Sequence, residues 1–97
     1  MSDSYAVAVL GGGSFGTVIG NIVAGNGNHV QLWLRNAGRA RTINESHENT
    51  DYLPGYSLDH KLRATTDLQE AVSAVDIIFV AVPSQSFREV VLELRSL

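Results

Sequence analysis

A run of six residues, Gly11-Gly12-Gly13-Ser14-Phe15-Gly16, most constrains what this chain can become. It follows an apolar segment, Tyr5 to Leu10, that has no helical period and ends at glycine. It opens a segment, Ser14 to Ala24, whose apolar residues Phe15, Val18, Ile19, Ile22 and Val23 fall on a helical stripe. A strand buried on both faces reads as a nearly continuous apolar run. The chain therefore passes from a buried strand through a glycine turn into an amphipathic helix.

The rest repeats that alternation. Gly25-Asn26-Gly27-Asn28 stops the first helix with residues that tolerate positive φ. His29 to Leu34 reads as a second strand, and Asn36 as the N-cap of a helix through about Ser46. His47 to Lys61 reads as a long loop, with a type II turn at Pro54-Gly55. Leu62 to Thr65 forms a short third strand. Thr66-Asp67-Leu68-Gln69 matches a capping box and predicts a helix to about Ala74. Asp76 to Val82 is the most apolar strand, closed by Pro83. A second capping box, Ser86 to Glu89, precedes the stripe Phe87, Val90, Val91, Leu94 and Leu97, which places Phe87 in the core.

The order βαβαβαβα, with right-handed crossovers, predicts a doubly wound α/β parallel sheet of strand order 3-2-1-4. This is the first half of a Rossmann-type fold. The chain stops at Leu97 inside an amphipathic helix, so residues 1–97 are expected to be one truncated domain.

The glycines divide the labour of the G-x-G-x-x-G pattern. Gly11 permits the tight turn out of the strand, Gly13 lets the backbone approach a pyrophosphate, and Gly16 lets the helix pack close. The helix N-terminus offers free N–H groups to the phosphates. Flavin and S-adenosylmethionine proteins use similar turns, but the strand, helix and second strand around this one favour a nicotinamide dinucleotide. NAD-specific proteins carry an acid at the end of the second strand, about 20 residues beyond the turn. Here Leu34-Arg35-Asn36 stands there, and no carboxylate occurs between Asp3 and Glu45. Arg35, with Arg39 and Arg41 beyond it, favours NADP(H) over NAD(H). Trp33 reads as packing or as a wall on the adenine side.

Composition narrows the classes. The net charge of −3 gives no basic surface to track nucleic acid. The absence of cysteine removes disulfides and thiolate metal sites, and fits a reducing compartment such as the cytoplasm. The polar start Met1-Ser2-Asp3-Ser4 lacks a secretory signal's basic region, and no apolar run is long enough for a membrane span. His29, His47 and His60 are scattered, which gives no metal pattern. His47-Glu48-Asn49 is expected to order the long loop through hydrogen bonds to backbone. No catalytic residue is assigned.

With these segments placed, the chain resembles the amino-terminal part of glycerol-3-phosphate dehydrogenase. The resemblance runs from about Tyr5 to Phe87. It rests on Gly11 to Thr17, Val30-Gln31-Leu32-Trp33, His47-Glu48-Asn49 with Tyr52-Leu53-Pro54-Gly55, and Val82-Pro83-Ser84. It implies reduction of dihydroxyacetone phosphate to sn-glycerol 3-phosphate with NADPH or NADH, a step in phospholipid precursor synthesis. It implies cofactor contacts at Ser14, Phe15 and Arg35 besides Gly11, Gly12, Gly13 and Gly16. It also implies that the catalytic lysine and a helical substrate domain lie beyond these residues, so the chain alone is inactive. The alternatives are a non-catalytic NADP(H)-binding regulatory module and another reductase of the same cofactor fold. An unpaired fourth strand at the sheet edge predicts a homodimer.

Overall fold

The computed structural model describes residues 4–97, so the polar start Met1 to Asp3 lies outside the described residues. Eight elements alternate: β1 (Ala6–Leu10), α1 (Ser14–Gly25), β2 (His29–Trp33), α2 (Ala37–Ser46), β3 (Leu62–Thr65), α3 (Leu68–Val72), β4 (Ile77–Val80) and α4 (Ser84–Arg95). The four strands form one parallel sheet in the order β3-β2-β1-β4, as expected.

The pleat sorts β1 into two faces, because successive side chains point opposite ways. Val7 and Val9 join Val30, Leu32 and Leu62 under α1 and α2, where Ala24, Ala40 and Ile43 complete the layer. Ala8 and Leu10 face the other way and pack with Trp33, Leu68, Ala71 and Val90 beneath α3 and α4. This is why β1 is apolar at consecutive positions: it is the central strand, covered on both sides.

The sheet's two edges are treated differently. On β3, the Asn44 side chain donates to the Ala64 carbonyl and accepts from the Ala64 amide, at 2.9 and 2.8 Å. The Leu62 amide turns back to the Asp59 carbonyl at 3.0 Å. On β4, Ile77, Ile78 and Phe79 are each about two-fifths exposed, at 39%, 42% and 41%. The apolar composition of β4 therefore marks an uncovered edge.

Several local expectations shift. The cap of α3 is Asp67, whose carboxylate accepts the Glu70 amide at 3.1 Å, one residue later than the Thr66 box. An ionised carboxylate is the stronger acceptor at a positive helix end. The helix ends at Val72 rather than near Ala74, because Ala74 adopts a left-handed φ of 59°. Helix α4 begins at Ser84, directly after Pro83, so Ser86 sits inside it and caps nothing. Strand β4 ends at Val80: the Ala81 amide makes a bond of 2.7 Å to the Leu10 carbonyl, and Val82 departs over the glycine turn. Phe87 is half exposed, not core, because Val90 and Leu94 are the residues that anchor α4. The apolar stripe of α1 is not its buried face: Gly16, Thr17, Gly20 and Ala24 are buried, while Phe15 and Ile22 are exposed and Ile19 and Val23 are partly buried, because the small residues let the helix lie close on the sheet. Two other readings stand. Asn36 caps α2 by accepting the Arg39 amide, and Gly55 has a φ of 78° in a turn closed by Tyr56 N–H to the Leu53 carbonyl.

Candidate functional site

The glycine turn lies where the chain changes direction across the sheet, between β2 and β4 at the C-terminal end of β1. In open α/β sheets this switch point is where ligands bind. Two adjoining cavities occupy it, of about 500 and about 240 Å³. They share Gly11, Gly12, Gly13, Tyr52, Val82 and Pro83, which makes them one groove bent around the turn. The larger part is lined by Ser14, Phe15 and Val80, the smaller by Trp33, Arg35, Arg39 and Val90.

The four glycines are not equivalent. A Cβ at Gly11 would lie 2.5 Å from the Ala81 carbonyl oxygen, and Gly11 has a φ of 130°. A Cβ at Gly12 would lie 2.7 Å from Leu34 Cβ, and one at Gly16 would lie 1.9 Å from the Gly11 carbonyl oxygen. These three are required by the protein's own packing. Gly16 is buried and lines neither cavity, so its part is to let α1 approach β1. Gly13 differs: its φ and ψ of −77° and −168° suit any residue, and a Cβ there would meet nothing within 4 Å. No steric contact within the chain requires a glycine at 13, and Gly13 lines both arms of the groove.

Gly13 is also the N-cap of α1, whose first turn carries no acidic residue. The unpaired N–H groups and positive dipole end of that helix meet no competing carboxylate of the same turn. The Ser14 hydroxyl donates to the Tyr52 carbonyl at 3.0 Å, which ties the long loop to the turn. Phe15 is largely exposed at the mouth.

Arg35 and Arg39 both reach the smaller cavity; Arg41 is exposed and lines neither. The Arg35 guanidinium stacks over Trp33, 4.8 Å from the ring centroid. Trp33 is buried, donates from Nε1 to the Thr66 carbonyl, and lines the smaller cavity, so it packs as expected. Arg39 lies 4.7 Å over the Tyr52 ring and pairs with Asp51 at 3.0 Å.

The loop after α2 is ordered by its polar residues, as expected. Glu48 accepts the Gly55 amide at 2.7 Å. His47 terminates α2 with a φ of 55° and stacks on His60, ring centroids 4.0 Å apart. Asn49 does more than order its own loop. It is fully buried and donates from Nδ2 to the Gly12 carbonyl and to Thr17 Oγ1, at 3.0 and 2.9 Å. It thereby clamps the glycine turn to α1 from behind. Nothing in its local sequence announces that contact, which joins residues 37 apart. Tyr52, a lining residue of both cavities, stood in the sequence only as part of the segment that carries the family resemblance, with no role given to it. Among the described residues, no three histidine or carboxylate side chains converge to hold a metal, and no helix is long and apolar enough to cross a membrane.

A parallel sheet in this order, with a glycine turn and helix N-terminus at its switch point, defines a dinucleotide-binding domain of the Rossmann type. Residues 6–97 match the family model described as NAD-dependent glycerol-3-phosphate dehydrogenase N-terminus, and the chain belongs to that family. It is 59% identical over 90 residues to a glycerol-3-phosphate dehydrogenase (NAD(P)+) of Saccharophagus degradans, covering 93% of this chain and 25% of that protein. A relative of the same name from Teredinibacter turnerae is 53% identical, covering 93% and 26%. The crystal structure of glycerol-3-phosphate dehydrogenase from Coxiella burnetii superposes with a TM-score of 0.90 at 32% identity, covering 97% of this chain and 29% of that one. The chain thus spans about a quarter of the length of the curated relatives it matches.

Proposed function

We propose that the groove binds a nicotinamide dinucleotide, and that residues 1–97 form the cofactor half of an enzyme interconverting dihydroxyacetone phosphate and sn-glycerol 3-phosphate. The observation that carries the reading is Gly13, the one glycine of the turn that no steric contact within the chain requires. A pyrophosphate against the α1 N-terminus explains it, because only glycine lets the backbone come that close. Gly11, Gly12 and Gly16 hold the turn in shape, Ser14 and Phe15 line one arm of the groove, and Arg35 lines the other. The bound nicotinamide supplies the hydride chemistry. This chain's residues bind and orient the cofactor, and none is assigned a catalytic role.

NADP(H) is favoured over NAD(H), which also fits the groove. Support comes from Arg35 and Arg39 at one arm and from the lack of an acid at the tip of β2. The names of the relatives, which read NAD(P)+, accommodate both. The setting is cytoplasmic. Self-association as a homodimer through the exposed β4 edge belongs to the same reading.

Calorimetric titration of the chain with NADPH and with NADH tests the reading, followed by addition of dihydroxyacetone phosphate. Saturable binding of both cofactors, tighter for NADPH and without turnover, is the expected result. Failure of either cofactor to bind at millimolar concentration would overturn it.

A further inference from the structure

Both arginines in the narrower arm of the groove are already held by carboxylates, and the two pairs differ in kind. Arg39 pairs with Asp51, twelve residues along, on the loop whose Tyr52 it also covers. Arg35 pairs with Glu93, 58 residues away on α4, with Nη2 and Oε2 2.8 Å apart. That second pair joins the tip of β2 to α4. Ser86 and Val90 of α4 line the cavity, and Glu93 follows them by seven and three residues, on the same helical face.

We propose that Glu93 is a specificity-determining residue for the cofactor, supplying from α4 the carboxylate that the tip of β2 lacks. The inference rests on the dinucleotide reading above. One face of the Arg35 guanidinium is stacked on Trp33, which fixes its plane and directs its N–H groups toward in-plane acceptors. Glu93 holds one of them, Nη2. A 2′-phosphate pairing through parallel N–H···O bonds that include Nη2 competes for the donor Glu93 holds. NADP(H) must therefore share Arg35 with Glu93 or displace it, and accept a carboxylate close by. NAD(H), with a neutral 2′-hydroxyl, asks for no such release. Glu93 narrows the preference that Arg35 alone would confer.

The pair is suited to competition and not to locking. Its side chains are 58% and 44% exposed, and exposed pairs are weak and screened by salt. Neither residue is buried deeply enough for the fold to depend on the contact.

The test is titration of NADPH and NADH into the wild-type chain, Glu93→Gln and Glu93→Asp. Glu93→Gln should tighten NADPH by about fivefold, the upper end for losing an exposed competing pair, and leave NADH unchanged. Glu93→Asp keeps the charge and should return the NADPH-to-NADH ratio toward wild type. Equal melting temperatures would show that the fold is intact. A ratio moved by less than about twofold in Glu93→Gln, with both cofactors binding, would overturn the role of Glu93 alone. Absence of binding to the wild-type chain would instead overturn the dinucleotide reading and this inference with it.

Discussion

Replacing Gly13 with alanine separates what the turn does for the protein from what it does for a ligand. The added methyl would meet no atom within 4 Å, and the backbone already lies in a region alanine accepts. Losing glycine's freedom in the unfolded chain stabilises by about 0.4–1 kcal/mol. Alanine is the poorer N-cap by a similar amount, roughly 0.5–1 kcal/mol. The two offset, and the melting temperature should move by no more than about 4 °C. Binding should respond differently. A methyl on the groove side pushes the pyrophosphate back from the helix N–H groups, and a hydrogen bond to a charged group contributes about 1.5–3 kcal/mol. The loss corresponds to roughly a 10- to 100-fold weaker Kd for NADPH. Gly16→Ala is the contrasting variant: its Cβ would sit 1.9 Å from a backbone oxygen, so the cooperative melting transition itself should be lost. Circular dichroism melts and calorimetric titration read the two effects. Wild-type affinity in Gly13→Ala would refute the argument, as would a melting temperature that falls in step with affinity.

Asn49→Ala removes two bonds from a fully buried site and leaves the Gly12 carbonyl without its clamp. It should destabilise by about 2–3 kcal/mol, measured by urea denaturation, and a change under about 0.5 kcal/mol would show the clamp to be idle. Ala74→Gly relieves an alanine held at a φ of 59° and should stabilise by about 0.5–1 kcal/mol in the same assay; a destabilised variant would contradict the strain. Sedimentation at micromolar concentration should find the wild-type chain dimeric and Ile78→Lys monomeric. A monomeric wild type would end the β4 interface, and a dimer indifferent to Ile78→Lys would move it elsewhere.

The architecture was legible because it depends on patterns that are local and repeated. Continuous apolar runs identified the strands, glycine marked the turn, and the handedness of crossovers set the order β3-β2-β1-β4. The structural need for glycine at 11 and 16 could be read directly, while the one at 12, against Leu34, could not. What escaped lies in contacts between distant positions. Asn49 reaches Gly12, and Glu93 reaches Arg35, by way of loops and helices whose packing no window of sequence encodes. The caps slipped for a different reason: Thr66 and Asp67 are both acceptable N-caps, and Pro83 starts α4 through its fixed φ without any side-chain bond. Phe87 fits the apolar stripe but lies at its end, and Val90 and Leu94 alone suffice to seat the helix. Periodicity reports which residues share a face, and not how much of that face is covered.

The unequal margins of the sheet also govern how far association can go. Filament growth by strand addition needs two receptive edges on every subunit, one to dock and one to receive the next. Here β3 is sealed: Asn44 occupies both the amide and the carbonyl of Ala64, and the Leu62 amide is spent on Asp59. Among the described strands, β4 is the edge whose outward backbone no side chain is seen to occupy. Under the proposed pairing of a second copy at β4, the margins left facing outward would be the two β3 strands, where Asn44 already engages both the amide and the carbonyl of Ala64.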